Sequence, residues 1–199
     1  MTAEACGGHV AGVDEAGRGP LAGPVVAGAV ILDSSRPIDG IDDSKKLSHT
    51  RRETLYDKIV SEAVAWAVAE ASPADIDRLN VLGATHLAMH KALESLKTPW
   101  VTALVDGNRP IGAIASARQK TVVGGDGISA SIGAASIVAK VTRDRIMMLY
   151  DREYPQYLFK KNKGYPTREH REAIVHHGLC PIHRRSFCLH LTSRVRLPL

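Results

Sequence analysis

Cysteine is scarce in this 199-residue chain, and long apolar runs are missing. Its three cysteines, Cys6, Cys180 and Cys188, form an odd set with no C-x-x-C spacing. That argues against a disulfide framework or a cysteine zinc cage, and it fits a reducing, cytoplasmic setting. No stretch approaches the ~20 apolar residues that span a bilayer. The longest, Pro20 to Leu32, is short and broken by Gly and Pro. The opening MTAEACGGHV has no basic start followed by an apolar core, so no signal peptide is expected. Internal repeats and low-complexity tracts are lacking as well.

What is present is an ordinary globular composition, 44% hydrophobic and 24% charged, which excludes wholesale disorder. The length fits one domain over residues 1–199, large enough to bury roughly 70% of its unfolded surface. Acidic residues thin out toward the C-terminus. Residues 1–150 hold 16 Lys+Arg and 17 Asp+Glu, whereas 151–199 hold 10 and 4. A basic extension from about residue 151 on a near-neutral body suggests a polyanion partner, nucleic acid first, or simply a solvated basic face.

Periodicity predicts strands at His9–Asp14 and Val25–Leu32, an antiparallel pair joined by a Gly- and Pro-rich loop. Ser48 should cap a helix to about Val64, followed by a strand from Val64 to Ala71. Two helical segments follow, near Asp75–Asn80 and Ala84–Leu96, then strands Trp100–Val105 and Thr121–Val123. The pattern from Ser131 to Tyr150 is helical, with Ile132, Ala135, Val138, Ala139 and Ile146 available for a buried face. Residues 151–164 read as irregular, and Thr167 should cap a helix from Arg168 to His177. The expected fold is α/β: mixed strands flanked by helices, with a basic helical C-terminal part. Met147, Met148 and Trp66 read as core.

Four acids stand at the ends of strand-like runs: Asp14 and Glu15 after HVAGV, Asp106 after VTALV, and Asp126 after TVVGG. In an α/β fold such ends can converge on one sheet edge, where ligands bind. Gathered carboxylates repel one another, and a hard divalent cation removes that penalty. Paired Mg²⁺ or Mn²⁺ ions on oxygen ligands suit phosphodiester cleavage. Each acid also has a plainer reading: Asp106 and Asp126 as turn formers, Asp14 and Glu15 as helix caps.

Gly17-Arg18-Gly19 follows the first acids, and glycines let backbone amides approach a phosphate or sugar hydroxyl. A tight connection with an exposed Arg18 is the alternative. Lys45, in Asp43-Ser44-Lys45-Lys46, suits a phosphate contact, as do Ser136 and Lys140, four apart on one helical face. Tyr165, on a Gly-Pro turn, could stack on a sugar or base, or merely cover the core. His170 reads as structural. His183-Arg184-Arg185-Ser186-Phe187 could hold phosphates or solvate the tail.

The run Val10 to Val25 (VAGVDEAGRGPLAGPV) resembles the opening signature of the bacterial ribonuclease HII family. Asp43-Ser44-Lys45-Lys46-Leu47, Val105-Asp106-Gly107-Asn108, Gly125-Asp126, Ala134 to Asp144 (AASIVAKVTRD), Gly164-Tyr165-Pro166-Thr167 with His170, and His183 to Phe187 follow in that family's order. The resemblance spans residues 10 to about 187. It implies a ribonuclease H-like fold and an endonuclease that cuts the RNA strand of RNA–DNA hybrids, single ribonucleotides in duplex DNA included, leaving a 3′-hydroxyl and a 5′-phosphate. It assigns Asp14, Glu15, Asp106 and Asp126 as catalytic ligands of Mg²⁺ or Mn²⁺. Gly17, Arg18 and Gly19 match the loop that senses the ribose 2′-hydroxyl, and Tyr165 the tyrosine that stacks at the ribonucleotide. Lys45, Ser136 and Lys140 are implied phosphate contacts. Only nine residues precede the first motif, unlike the related ribonuclease HIII with its extra N-terminal domain. A monomer without membrane attachment is expected. Two rivals are a hybrid-binding protein without chemistry and a DNA-cutting enzyme of the same fold. The four retained acids speak against the first, and the glycine–arginine loop with Tyr165 against the second.

Overall fold

The computed structural model describes residues 8–41 and 47–192. Five strands, β1 (His9–Ala16), β2 (Val25–Ile31), β3 (Ala65–Ala71), β4 (Trp100–Asp106) and β5 (Gln119–Val122), form one sheet in the order β3-β2-β1-β4-β5. Strand β2 runs antiparallel to its neighbours β1 and β3, whereas β4 pairs parallel to β1 and β5 parallel to β4. Six helices accompany them among the described residues: α1 (His49–Glu62), α2 (Pro73–Glu94), α3 (Ala130–Glu153), α4 (Phe159–Asn162), α5 (Arg168–His177) and α6 (Arg185–Thr192). None is long and apolar enough to cross a membrane.

The caps sit where the sequence put them. Ser48 accepts from the Arg51 amide at the start of α1, and Thr167 from the His170 amide at the start of α5. Ser72 and Asp75 form a reciprocal capping box on α2, with Pro73 at the first helical position. The two segments expected around residue 80 are one element interrupted at Asn80, whose backbone turns to φ 60°. Its side chain then caps the second half, accepting from the Leu82 and Gly83 amides. Residues 151–164 are more regular than their sequence suggested. They contain the end of α3, a 3-10 turn at Pro155–Tyr157 and α4.

Alternation along β1 divides the core. Ala11 and Val13 face α2 and pack with Ile76, Ala88 and Met89. Gly12 and Asp14 face α3. A Cβ at Gly12 would collide with the Ser131 backbone, and one at Gly28, across from Asp14 on β2, would stand 2.5 Å from the Ala135 carbonyl oxygen. Two glycines thus let α3 lie directly on the sheet. On that side α1 adds Leu55 and Ile59 to Ala134, Ile137 and Val138 of α3. A third cluster joins Leu21 and Ala22 to Met147, Tyr157, Phe159 and Ile174, tying the C-terminal helices to the loop between β1 and β2. Met147 is fully buried, whereas Met148 and Trp66 are half-buried. Ile146, expected on the buried face of α3, is also only half-buried.

Candidate active site

Parallel pairing of β1 with β4 brings the acids together. Val13 lies across from Val105, so Asp14 and Asp106 leave the sheet side by side on one edge. Strand β1 runs two residues beyond its expected end, through Asp14 and Glu15 to Ala16, which fixes both acids on rigid backbone. A cleft of about 210 Å³ opens there, lined by Asp14, Glu15, Asp106, Gly17, Arg18, Gly19, Ser136, Lys140, Arg143 and Tyr165. Nine of the eleven expected site residues therefore share one cavity. Asp126 is not on its lining. It sits half-buried on the 3-10 turn Gly125–Gly127, next to Gly125, whose amide donates to Asp106 Oδ1 at 2.8 Å. Lys45 lies outside the described residues.

Asp14 is only 4% exposed. Burial, together with the Glu15 and Asp106 carboxylates, holds its carboxyl well above the usual range, against the pull of the Ser136 hydroxyl and the Glu15 amide. Glu15 is raised too, chiefly by burial, although Arg18 at 3.4 Å and its own link to Asp14 oppose the shift. The cations of the cleft are engaged beside other groups. Arg18 meets Glu15, Lys140 meets Asp144 at 2.7 Å, and Arg143 meets three backbone carbonyls. Lys140, expected on a phosphate, thus faces the cleft while paired with its own helix.

The donor set is all oxygen, which fits a hard divalent cation and no soft one. Repulsion around Asp14 is the strain such a cation relieves. Among the described residues, no three His, Cys, Asp or Glu side chains are grouped closely enough as they stand to hold a metal ion.

Across the cleft stands the glycine loop. Gly17 adopts φ +100°, and a Cβ there would collide with the Arg143 side chain. Gly19 faces the Tyr165 ring: a Cβ on it would lie 3.8 Å from the ring edge. Tyr165 is 42% exposed, so it does not serve to cover the core. Its backbone is held at both ends, the amide donating to the Asn162 carbonyl (2.9 Å) and the carbonyl accepting from the Thr167 amide (2.8 Å).

One expectation is overturned. His183 and Arg184 neither hold phosphates nor solvate the tail; they are 3% and 0% exposed. A run of three basic residues reads as surface unless its carbonyl partners are known, and those partners lie in the loop after β1. Arg185 does reach the surface, where Asp77 accepts from the Arg185 and Ser186 amides and caps α6. His170 is fully buried, as its structural reading required. Sequence reasoning gave no separate role to Arg143. Its position on the buried face of α3, four residues from Ala139 and Met147, was the available signal.

The family model described as Ribonuclease HII matches residues 11–190. A ribonuclease HII of a Polaromonas species is 57% identical over 181 residues, covering 90% of this chain and 89% of that protein. One from Shewanella baltica is 54% identical over 184 residues, covering 90% and 88%. Among solved structures, ribonuclease H2 from Pyrococcus horikoshii superposes with a TM-score of 0.78 at 30% identity, over 94% of this chain and 99% of that one.

Proposed function

The chain belongs to the ribonuclease HII family, endonucleases of the RNA strand in RNA–DNA hybrids, and from that premise we propose that it also incises duplex DNA 5′ of a single ribonucleotide. The observation that carries this is the register of β1 with β4, which sets Asp14, Glu15 and Asp106 in one cleft with Gly17–Gly19 and Tyr165. A 2′-hydroxyl is the local difference between RNA and DNA, and the glycine loop offers backbone groups where no side chain intervenes. Tyr165, half out of the protein on a fixed backbone, stacks on the sugar–base plane at the ribonucleotide. Ser136, Lys140 and Lys45 hold flanking phosphates, Lys140 by exchanging Asp144 for the substrate.

Asp14, Glu15, Asp106 and Asp126 are the ligands of Mg²⁺ or Mn²⁺ in this reading. When bound, the metal supplies positive charge at the scissile phosphate. The chain's own part is to align the phosphodiester with attacking water and to give up any proton held on the Asp14 carboxyl as the cation arrives. Water attacks phosphorus, the P–O3′ bond breaks, and the products carry a 3′-hydroxyl and a 5′-phosphate. The chain acts as one catalytic domain, with residues from about 151 onward as its basic extension, monomeric and cytoplasmic.

The test is a labelled duplex with one ribonucleotide, incubated with Mg²⁺, with Mn²⁺ and with chelator. One metal-dependent cut 5′ of the ribonucleotide, absent from all-DNA duplex, is expected. Cutting of the all-DNA control, or no cut while long hybrids are cleaved, would overturn the reading.

A further inference from the structure

Buried beneath the cleft is a set of bases and guanidinium groups that the reaction does not use. We infer that the adjacent residues His183 and Arg184 position both halves of the ribonucleotide-sensing apparatus at once, Arg184 setting the glycine loop and His183 setting Tyr165 through His170. The inference rests on the functional reading above and deepens it.

The Arg184 half is a fork of hydrogen bonds. Its Nη1 donates to the Arg18 carbonyl (2.9 Å), Nη2 to those of Gly17 (2.6 Å) and Pro24 (3.3 Å), and Nε to that of Gly23 (2.9 Å). A buried guanidinium meeting four carbonyls fixes the peptide planes on which they lie. With the Gly17 and Arg18 carbonyls turned inward to Arg184, the amides of the following residues are oriented as well, because each peptide unit is planar. Lysine carries the same charge without the planar fork.

The His183 half is a directional relay. The Cys180 amide can only donate, and it donates to His183 Nδ1 at 3.0 Å, so the proton of that ring resides on Nε2. His183 Nε2 faces His170 Nε2 at 3.1 Å, which makes the latter the acceptor. His170 must then carry its proton on Nδ1, and that atom lies 2.9 Å from the Tyr165 carbonyl oxygen. Both rings are neutral in this arrangement; burial lowers each of them. Tyr157 and Phe159 close around the pair with ring centroids 4.8 to 6.3 Å away. The whole segment is docked on the loop after β1 through the Ala22–His183 bridge.

The experiment pairs binding with stacking. Affinity is measured for a single-ribonucleotide duplex and a matched all-DNA duplex, with Ca²⁺ to suppress turnover. Fluorescence of 2-aminopurine beside the ribonucleotide reports Tyr165, and kcat/KM is read with Mg²⁺. Arg184→Lys should keep its affinity for all-DNA duplex, lose most of its preference for the ribonucleotide, and fall about 10- to 100-fold in kcat/KM. His170→Asn retains a donor near the Nδ1 position and should keep the fluorescence change. His170→Gln places its amide near Nε2 and should lose it. Variants that melt like the wild type and keep both preference and fluorescence change would overturn the inference, as would equal losses on both duplexes. If Arg184→Lys does not fold, the two His170 variants decide alone. A wild-type chain with no ribonucleotide preference would instead sink the functional reading.

Discussion

Around Asp14, carboxylates are crowded on one strand edge; Arg18 offsets part of that charge through Glu15, while Lys140 pairs with Asp144 and Arg143 with backbone carbonyls. Around Arg184, on the far side of the same loop, two buried guanidinium groups and two buried imidazoles each meet an acceptor or donor of the right polarity. The first region is strained by repulsion among carboxylates; the second, although burial and the neighbouring Arg143 push Arg184 down to about 9, is satisfied in its hydrogen bonds. On the function proposed above, strain falls where a substrate and a cation would be attracted, and satisfaction where geometry must not change. A chain can therefore bury charge for two opposite ends, and the hydrogen-bond partners reveal which is which.

The comparison is broken most severely by Asp14→Asn. Cleavage should fall by roughly 10³-fold or more, a loss of about 4 kcal/mol in transition-state stabilisation, while hybrid binding persists. Because repulsion is relieved, the metal-free variant should melt a few degrees higher than the wild type, with ~1 kcal/mol worth about 2–4 °C in a chain of this size. Mg²⁺ should raise the melting temperature of the wild type and leave that of the variant unmoved. A variant that melts lower, or that still cleaves strongly, would contradict the strained-edge account.

Acid sharpens the contrast, since the two regions respond with opposite sign. Burial and the neighbouring His170 push His183 down to about 4 from its ordinary 6.5. The unfolded chain therefore takes up a proton that the folded chain refuses, and this contribution is full above pH 6.5 and is lost as pH falls toward 4. Asp14, raised in the fold, gains stability on acidification instead. Melts of Asp14→Asn between pH 7 and 4.5 remove the Asp14 part of the opposing response and should show a decline that His183→Gln makes shallower, His170 contributing the same sign. The smallest effect belongs to the surface. Glu53→Gln, which breaks the exposed pair with Arg145, should leave cleavage unchanged and move the melting temperature by less than about 2 °C.

The strained region was legible in the sequence because its acids end apolar runs: a strand that stops at Asp106 is visible locally. The break in α2 was legible for a similar reason, Asn being one of the few residues at ease at positive φ. The satisfied region was not legible. His-Arg-Arg looks like a solvated patch, and its burial is decided by carbonyls some 160 residues earlier, which no local pattern encodes. The turn around α4 was hidden in another way, since Leu158 and Lys163 flank it in left-handed backbone that neither side chain favours. Asp126 was read as ending a strand, yet β5 stops at Val122, and the 3-10 turn that sets Asp126 back from the cleft has Asp106 holding the Gly125 amide, a tertiary contact.

The bonds from Arg184 to Arg18 and Gly17 join residues 166 and 167 apart in the chain. Synthesis proceeds from the other end, so the acids, the sheet and α3 can all be in place before the residue that sets the sensing loop has left the ribosome. Closing so long a loop comes late in folding for the same entropic reason. On the roles proposed above, the nascent chain would hold its acidic sheet edge before the loop after β1 is braced, and discrimination would arrive with the segment that carries Arg184.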